Sequence, residues 1–295
     1  MRVTTESPFF DRAEELRDAF ERVVGPTREG AAERFVWDYW HIPEQYTYFR
    51  TPALHVLPPS LLGAFSTRLA EWGAAHLGCD RVTLPWLSFY LEGCRQELHS
   101  DVVQGTWSYV YSLTRWDERH FTGGETILGT ERLLDYWGSF DPTTSSESRH
   151  LVERVPARFD QLCVFDSRLP HGVAVVEGTR DPLQARVALH GWFHPPEVSV
   201  EGALGRERVG PALEALRRRV ADRRGRLGTV RGISTWRLEV APDGKVDQVA
   251  LVVHNLVADA DSQVSDACRA AEEELRATRF PAADGRSVVR LPLED

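Results

Sequence analysis

Two side chains that bind metals well stand one residue apart in His99-Ser100-Asp101, and a third, His171, closes the run Phe165-Asp166-Ser167-Arg168-Leu169-Pro170-His171. In an extended segment residues i and i+2 project to the same side, so His99 and Asp101 are placed to share one ion. Two imidazoles and one carboxylate make a facial set that leaves three positions of a six-coordinate Fe(II) open to other ligands. Further on, Arg186 opens the apolar run Arg186-Val187-Ala188-Leu189-His190-Gly191-Trp192-Phe193. A guanidinium buried among such residues is costly unless it meets an anion, and its planar fork suits a bidentate pair with a dicarboxylic cosubstrate. Arg180, in the turn-rich Glu177-Gly178-Thr179-Arg180-Asp181-Pro182, is the rival for that role. His190 and His194 have the spacing of a zinc-hydrolase helix, but no Glu follows the first and the segment reads as strand, so zinc hydrolysis is set aside.

These residues need a rigid frame, and the pattern around them describes one. From Leu84 to Phe193 apolar residues recur with period two in short runs: 87–91, 108–113, 125–128, 161–165, 172–176 and 186–193. Many short strands punctuated by Gly, Pro and Asp point to a jelly roll or a related barrel. Upstream, Phe10, Ala13, Leu16, Phe20 and Val23 recur at helical spacing within about 6–24, and Leu61, Leu62, Phe65, Leu69 and Trp72 do so within 60–75. Between these helices Phe35-Val36-Trp37-Asp38-Tyr39-Trp40-His41, followed by Tyr46, Tyr48 and Phe49, suits core packing or the lining of a substrate entrance.

Residues 84–193 as a whole resemble the prolyl-4-hydroxylase-like branch of the 2-oxoglutarate/Fe(II) oxygenases. The matching pieces come in the family's order: Tyr90 to Gly93, His99 and Asp101, Tyr111 to Leu113, Phe121 to Thr126, Phe165 to His171, and the strand opened by Arg186. The resemblance implies a double-stranded β-helix, with iron on His99, Asp101 and His171 and the distal carboxylate of 2-oxoglutarate on Arg186. It also implies that Tyr111 hydrogen-bonds that carboxylate, that Tyr90 lies near the cosubstrate, and that Trp192 and His190 wall the cavity. The implied cofactors are Fe(II), 2-oxoglutarate and O2, with ascorbate as a reductant. The implied reaction is hydroxylation of a C–H bond in a peptide prolyl residue or a small amino-acid-like metabolite, as 2-oxoglutarate is decarboxylated to succinate. Related halogenases carry Gly or Ala where Asp101 stands, so hydroxylation is favoured over halogenation. The alternative is a catalytically silent barrel that binds a peptide or protein through its C-terminal module.

After His194-Pro195-Pro196 the barrel pattern stops. A charged helical segment with Arg217-Arg218-Arg219 reads as a solvated linker, and the turn Asp243-Gly244 sits between strand patterns at 235–240 and 246–253. A helix over about 262–278 and a last strand near 288–291 complete a β-β-α-β module that resembles the TonB C-terminal domain, which implies a possible peptide- or protein-binding role. The expected organisation is thus an oxygenase domain with N-terminal helices over 1–197, a helical linker over 198–228, and the small α+β module over 229–295. The fold class is mainly β with flanking helices.

The balance of the chain excludes some partners. A net charge of −9 offers no basic surface for nucleic acid or anionic lipid. No stretch approaches the roughly 18 apolar residues of a membrane span, and Met1-Arg2-Val3-Thr4-Thr5-Glu6 is no apolar leader, so a cytoplasmic protein is expected. Cys79, Cys94, Cys163 and Cys268 lack C-x-x-C spacing and read as reduced structural thiols.

Overall fold

The computed structural model describes residues 3–25, 36–130, 151–228, 230–258 and 260–294. Phe35, at the head of the aromatic stretch, lies outside them. The first part of the chain carries β1 (Val3–Glu6), α1 (Ala13–Val24), β2 (Asp38–Ile42), β3 (Tyr46–Pro52), α2 (Pro59–His76), β4 (Trp86–Tyr90), β5 (Arg95–His99), β6 (Trp107–Ser112), β7 (Thr126–Gly129), β8 (Val152–Val155), β9 (Gln161–Asp166), β10 (His171–Val173) and β11 (Arg186–Phe193). The second part carries β12 (Ser199–Gly202), α3 (Arg206–Arg224), β13 (Val230–Arg231), β14 (Ile233–Val240), β15 (Val246–His254), β16 (Val257–Ala258), α4 (Asp261–Ala277) and β17 (Ser287–Glu294). Contacts divide the chain into two units, Arg2–Leu69 with Val82–His194, and Ala70–Arg81 with Pro195–Asp295. No helix among the described residues is long and apolar enough to cross a membrane.

In the first unit β1 to β11 form one curled antiparallel sheet in the order β1-β9-β6-β11-β4-β3-β5-β10-β7-β8, with β2 on β3. The chain from β4 to β11 shuttles between two halves, β9-β6-β11-β4 and β5-β10-β7-β8. That shuttling is the double-stranded β-helix form of a jelly roll. β3 joins the halves, because its Phe49–Pro52 end pairs with β4 while Tyr46 and Thr47 pair with β5. The long strand β11 sits between β4 and β6, and side chains at its even positions face the inside of the curl together with their cross-strand partners.

Two departures from the sequence reading have local causes. The first helix begins at Ala13 rather than near Glu6, because Val3–Glu6 pair with β9 and Pro8, which has no amide hydrogen, cannot carry a helix on from them. Leu16, Ala19 and Phe20 then bury the apolar face of α1 as its spacing requires. The strand β5, Arg95-Gln96-Glu97-Leu98-His99, has no apolar alternation, since only its pairing with β3 and β10 makes it a strand.

In the second unit a four-stranded sheet, β12-β17-β14-β15, packs with α3 and α4. The segment 198–228, read from sequence as a linker, supplies β12 and α3 to this unit. Val209, Leu213, Leu216 and Val220 repeat every three or four residues and are buried with Trp236, Leu238, Leu275 and Leu291. The arginines between them mask that stripe in the sequence. Arg219 and Arg223 instead reach Glu274 and Glu273 of α4 on the outer side. The turn Asp243-Gly244 joins β14 and β15 with Gly244 at φ 80°, where a Cβ would lie 1.9 Å from the Phe280 carbonyl oxygen.

Candidate metal centre

His99 ends β5, His171 begins β10, and the two residues are direct partners across that strand pair. Their rings are 4.3 Å apart, centre to centre. Asp101 lies in the turn that leaves β5, and its backbone amide donates to the Ser167 carbonyl at 3.0 Å. The Ser100 hydroxyl donates to the same carbonyl at 3.1 Å. Ser167 is held in turn by a 2.9 Å hydrogen bond between its hydroxyl and that of Ser108 on β6. One nitrogen from each imidazole and one Asp101 oxygen therefore lie within 4.8 Å of one another.

The protonation pattern suits a cation. The Nδ1 of His99 lies 2.9 Å from the Glu97 carbonyl oxygen and that of His171 lies 2.8 Å from the Leu169 carbonyl oxygen. A carbonyl only accepts, so each Nδ1 is engaged as a donor, and the Nε2 atoms are the ones that face Asp101, that of His171 at 3.1 Å from Oδ2. Burial and the neighbouring His171 hold the His99 imidazole below its ordinary value. Burial pushes the Asp101 carboxyl up, but His171, Trp192 and His99 outweigh it and hold it below the usual carboxylate range. Two imidazoles and a carboxylate are the donor set of a facial Fe(II) site.

Trp192 takes a role in that arrangement that the sequence did not disclose. Its indole Nε1 donates to Asp101 Oδ2 at 2.9 Å, beside the 3.1 Å contact of His171 Nε2 with the same oxygen. A donor on a ligand carboxylate fixes its rotamer, and removing such contacts lowers metal affinity by roughly 10- to 100-fold. Trp192→Phe is therefore expected to weaken Fe(II) binding by roughly that factor, read by anaerobic titration. Unchanged affinity would show that the indole only fills space.

The triad opens into a cavity of about 200 Å³ enclosed by inward-facing residues of β3, β4, β6, β10 and β11. Arg186 lies at its wall and is 1% exposed. Its Nε donates to the Gly124 carbonyl at 2.8 Å, one terminal nitrogen donates to Thr126 Oγ1 at 3.3 Å, and the guanidinium carbon stands 4.6 Å from the centre of the Tyr90 ring. Gly124, at φ 80°, lies against this side chain: a Cβ there would stand 3.5 Å from Arg186 Cδ and 3.0 Å from the Phe121 ring. Among the described residues no Asp or Glu forms an ion pair with Arg186. Burial lowers its pKa from the ordinary arginine value, yet a guanidinium keeps its charge at physiological pH.

Other candidates fall on both sides of the wall. Tyr90 is the direct β4 partner of Arg186, faces the cavity, and donates its hydroxyl to Gln96 Oε1 at 2.9 Å. His190 also faces the cavity, its Nε2 buried with no hydrogen-bond partner, and burial pushes its imidazole down to about 4. Tyr111 is a correction to the sequence reading. It pairs with Leu189, one residue out of phase with the inward positions of β11, so it projects from the opposite face of β6. There its hydroxyl donates to Asp160 Oδ1 at 2.7 Å, and its ring packs on Phe9 and Phe65. It does not line the cavity. Arg180 is exposed in the turn after β10 and is likewise not among the lining residues, so of the two arginines Arg186 is the one at the cavity. His194 lies past the end of β11, away from the triad.

Sequence reasoning left Arg50 and Gln96 unassigned, and both line the cavity beside Trp40, Tyr46 and Tyr48 of the aromatic stretch. Alternation within 46–50 was the available signal, since Tyr46, Tyr48 and Arg50 share one face of β3 while Phe49 stacks on Phe89 on the other.

No family model and no curated protein matches this chain. Among solved structures it is similar to a Pseudomonas putida prolyl-4-hydroxylase, with 15% identity over 65% of this chain and 92% of that one at a TM-score of 0.44. It is also similar to a Trichoplax adhaerens prolyl hydroxylase in complex with a hypoxia-inducible-factor peptide fragment, with 14% identity over 65% and 83% of the two chains at a TM-score of 0.43. A third similar structure is the non-haem α-ketoglutarate-dependent epimerase SnoN from nogalamycin biosynthesis, with 10% identity over 66% and 80% of the chains at a TM-score of 0.44.

Proposed function

We propose that this chain is an Fe(II)- and 2-oxoglutarate-dependent dioxygenase that hydroxylates a C–H bond of an amino-acid-like metabolite or a prolyl residue. One observation carries the reading: two imidazoles and a carboxylate converge within 4.8 Å in the cavity whose wall holds a buried arginine with no carboxylate partner among the described residues. The donor set fits iron, because backbone carbonyls engage both Nδ1 atoms and leave the Nε2 atoms beside Asp101 for a metal. When bound, iron with 2-oxoglutarate supplies the oxidising power for O2-dependent hydroxylation, the cosubstrate leaving as succinate and CO2.

The chain's own residues divide the remaining work. His99, Asp101 and His171 would hold the metal, and Trp192 would keep Asp101 in its ligating rotamer. Arg186, braced by Gly124 and Thr126 and lying over Tyr90, would grip the distal carboxylate of the cosubstrate, with burial strengthening the pair. Aromatic walls from Trp40, Tyr48 and Tyr90 exclude bulk water from the reacting centre. Asp101 fills the position that a halide would need, which favours hydroxylation. A silent barrel would have no use for a buried, unpaired Arg186.

The test uses the full chain, Fe(II), 2-oxoglutarate and ascorbate. Succinate formation that requires iron and stops on chelation is the expected result, since uncoupled turnover needs no substrate. A protein that binds no iron and forms no succinate would sink the proposal.

A further inference from the structure

A second arginine faces the same cavity, and its setting differs from that of Arg186. Arg50 on β3 is the cross-strand partner of Ser88, which pairs with Ala188 on β11, so all three share the inward face. The carbon of its guanidinium lies 3.7 Å from the centre of the Trp40 ring and 4.5 Å from that of Trp86. Both indoles lie against the guanidinium at cation–π range, so hydrogen bonding is left to its edge. On that edge Nε is buried and has no hydrogen-bond partner, and no Asp or Glu among the described residues forms an ion pair with Arg50. His190, whose Nε2 is also buried and unpartnered, faces the same space, and the Arg50 charge is among those that disfavour its protonation. Buried polar atoms are nearly always satisfied, so two orphans in one cavity point to a ligand that satisfies them.

We infer that the substrate is a small carboxylic acid whose carboxylate docks edge-on to Arg50 between Trp40 and Trp86, while a second polar group of the same molecule hydrogen-bonds His190. The proposal rests on the oxygenase reading for its premise that the cavity receives a substrate beside 2-oxoglutarate. A carboxylate is planar and pairs in the plane of a guanidinium through Nε and one terminal nitrogen, which is the geometry that two flanking rings permit. The cavity volume of about 200 Å³ must also take the cosubstrate, so the part of the substrate held inside it is small. An internal prolyl residue of a peptide brings no carboxylate to Arg50.

The test is calorimetric and needs no turnover. The full chain with Fe(II) and 2-oxoglutarate under nitrogen is titrated with free L-amino acids and short aliphatic and aromatic monocarboxylic acids, each paired with its primary amide. Acids are expected to bind at least ~30-fold more tightly than their amides, the scale of a lost buried charge pair, with the preference gone in Arg50→Gln and partly restored in Arg50→Lys. The acid-to-amide comparison in the wild-type protein stands even if Arg50→Gln misfolds, which circular dichroism would reveal. Equal binding of acids and amides, equal binding of acids to wild type and a folded Arg50→Gln, or no binding by any acid in the set would each overturn the proposal. Iron uptake and uncoupled succinate formation by the same wild-type protein report separately on the oxygenase reading. Their failure with acid selectivity intact would remove that reading alone.

Discussion

His99→Ala is expected to abolish iron-dependent succinate formation, by on the order of 10³-fold or more, because losing a ligand must exceed the roughly 10- to 100-fold cost of losing a contact behind one. The fold should survive the change. His99 ends a strand held by backbone pairing to β3 and β10, its side chain is 18% exposed, and its main ring neighbours are Tyr46 and His171. Truncation there removes little core volume, so stability should fall by no more than about 1 kcal/mol, the typical effect of a point substitution. The decisive comparison is iron stoichiometry against melting temperature. A variant that retains iron and turnover would show that His99 is not a ligand, whereas loss of both iron and fold would require His99→Gln in its place.

Arg186→Gln is expected to raise the KM for 2-oxoglutarate by on the order of 10²- to 10³-fold, since truncating one side of a desolvated charge pair costs about 2–5 kcal/mol. The same change should leave iron binding intact, because Arg186 touches Gly124, Thr126 and Tyr90 and none of the three ligands. A second reading comes from linkage. At 100 times its Kd, 2-oxoglutarate should stabilise the wild-type protein by about 2.7 kcal/mol, and this protection should fall to about 0.4 kcal/mol or less in the variant at the same concentration. Lysine at this position should restore only part of the affinity, because an ammonium cannot reproduce the two parallel hydrogen bonds of the planar fork. Equal KM values in wild type and Arg186→Gln would move the cosubstrate's carboxylate elsewhere.

These effects trace to features that differ in how far they can be read from sequence. The strands β6, β7, β9, β10 and β11 were legible from their short β-rich runs, and β8 was not. β5 was not, although it carries His99, because its side chains are polar on both faces and only its partners impose the extended form. The candidate ligands could be picked out because H-x-D spacing and a later His are local facts of type and order. Tyr111 was misplaced for the opposite reason. A tyrosine on a barrel strand faces in or out according to a one-residue phase, and that phase is set by pairing with β11. Arg50 escaped notice because its partners Trp40 and Trp86 lie on different strands, and a cation sandwiched by remote aromatics leaves no sequence pattern.

By itself the sequence determined the residue types that could hold a metal, their order along the chain, the arginine that a buried strand must compensate, and the β-rich class of the larger unit. Each follows from local composition and period. The tertiary structure decided the rest: that His99 and His171 stand opposite one another, that Ser167 and Trp192 hold Asp101 between them, that Tyr111 points away, and that Arg186 and Arg50 face one cavity. Those are matters of register and crossing between strands far apart in the chain. Backbone hydrogen bonds allow many registers, and only the packing of the whole curl selects one.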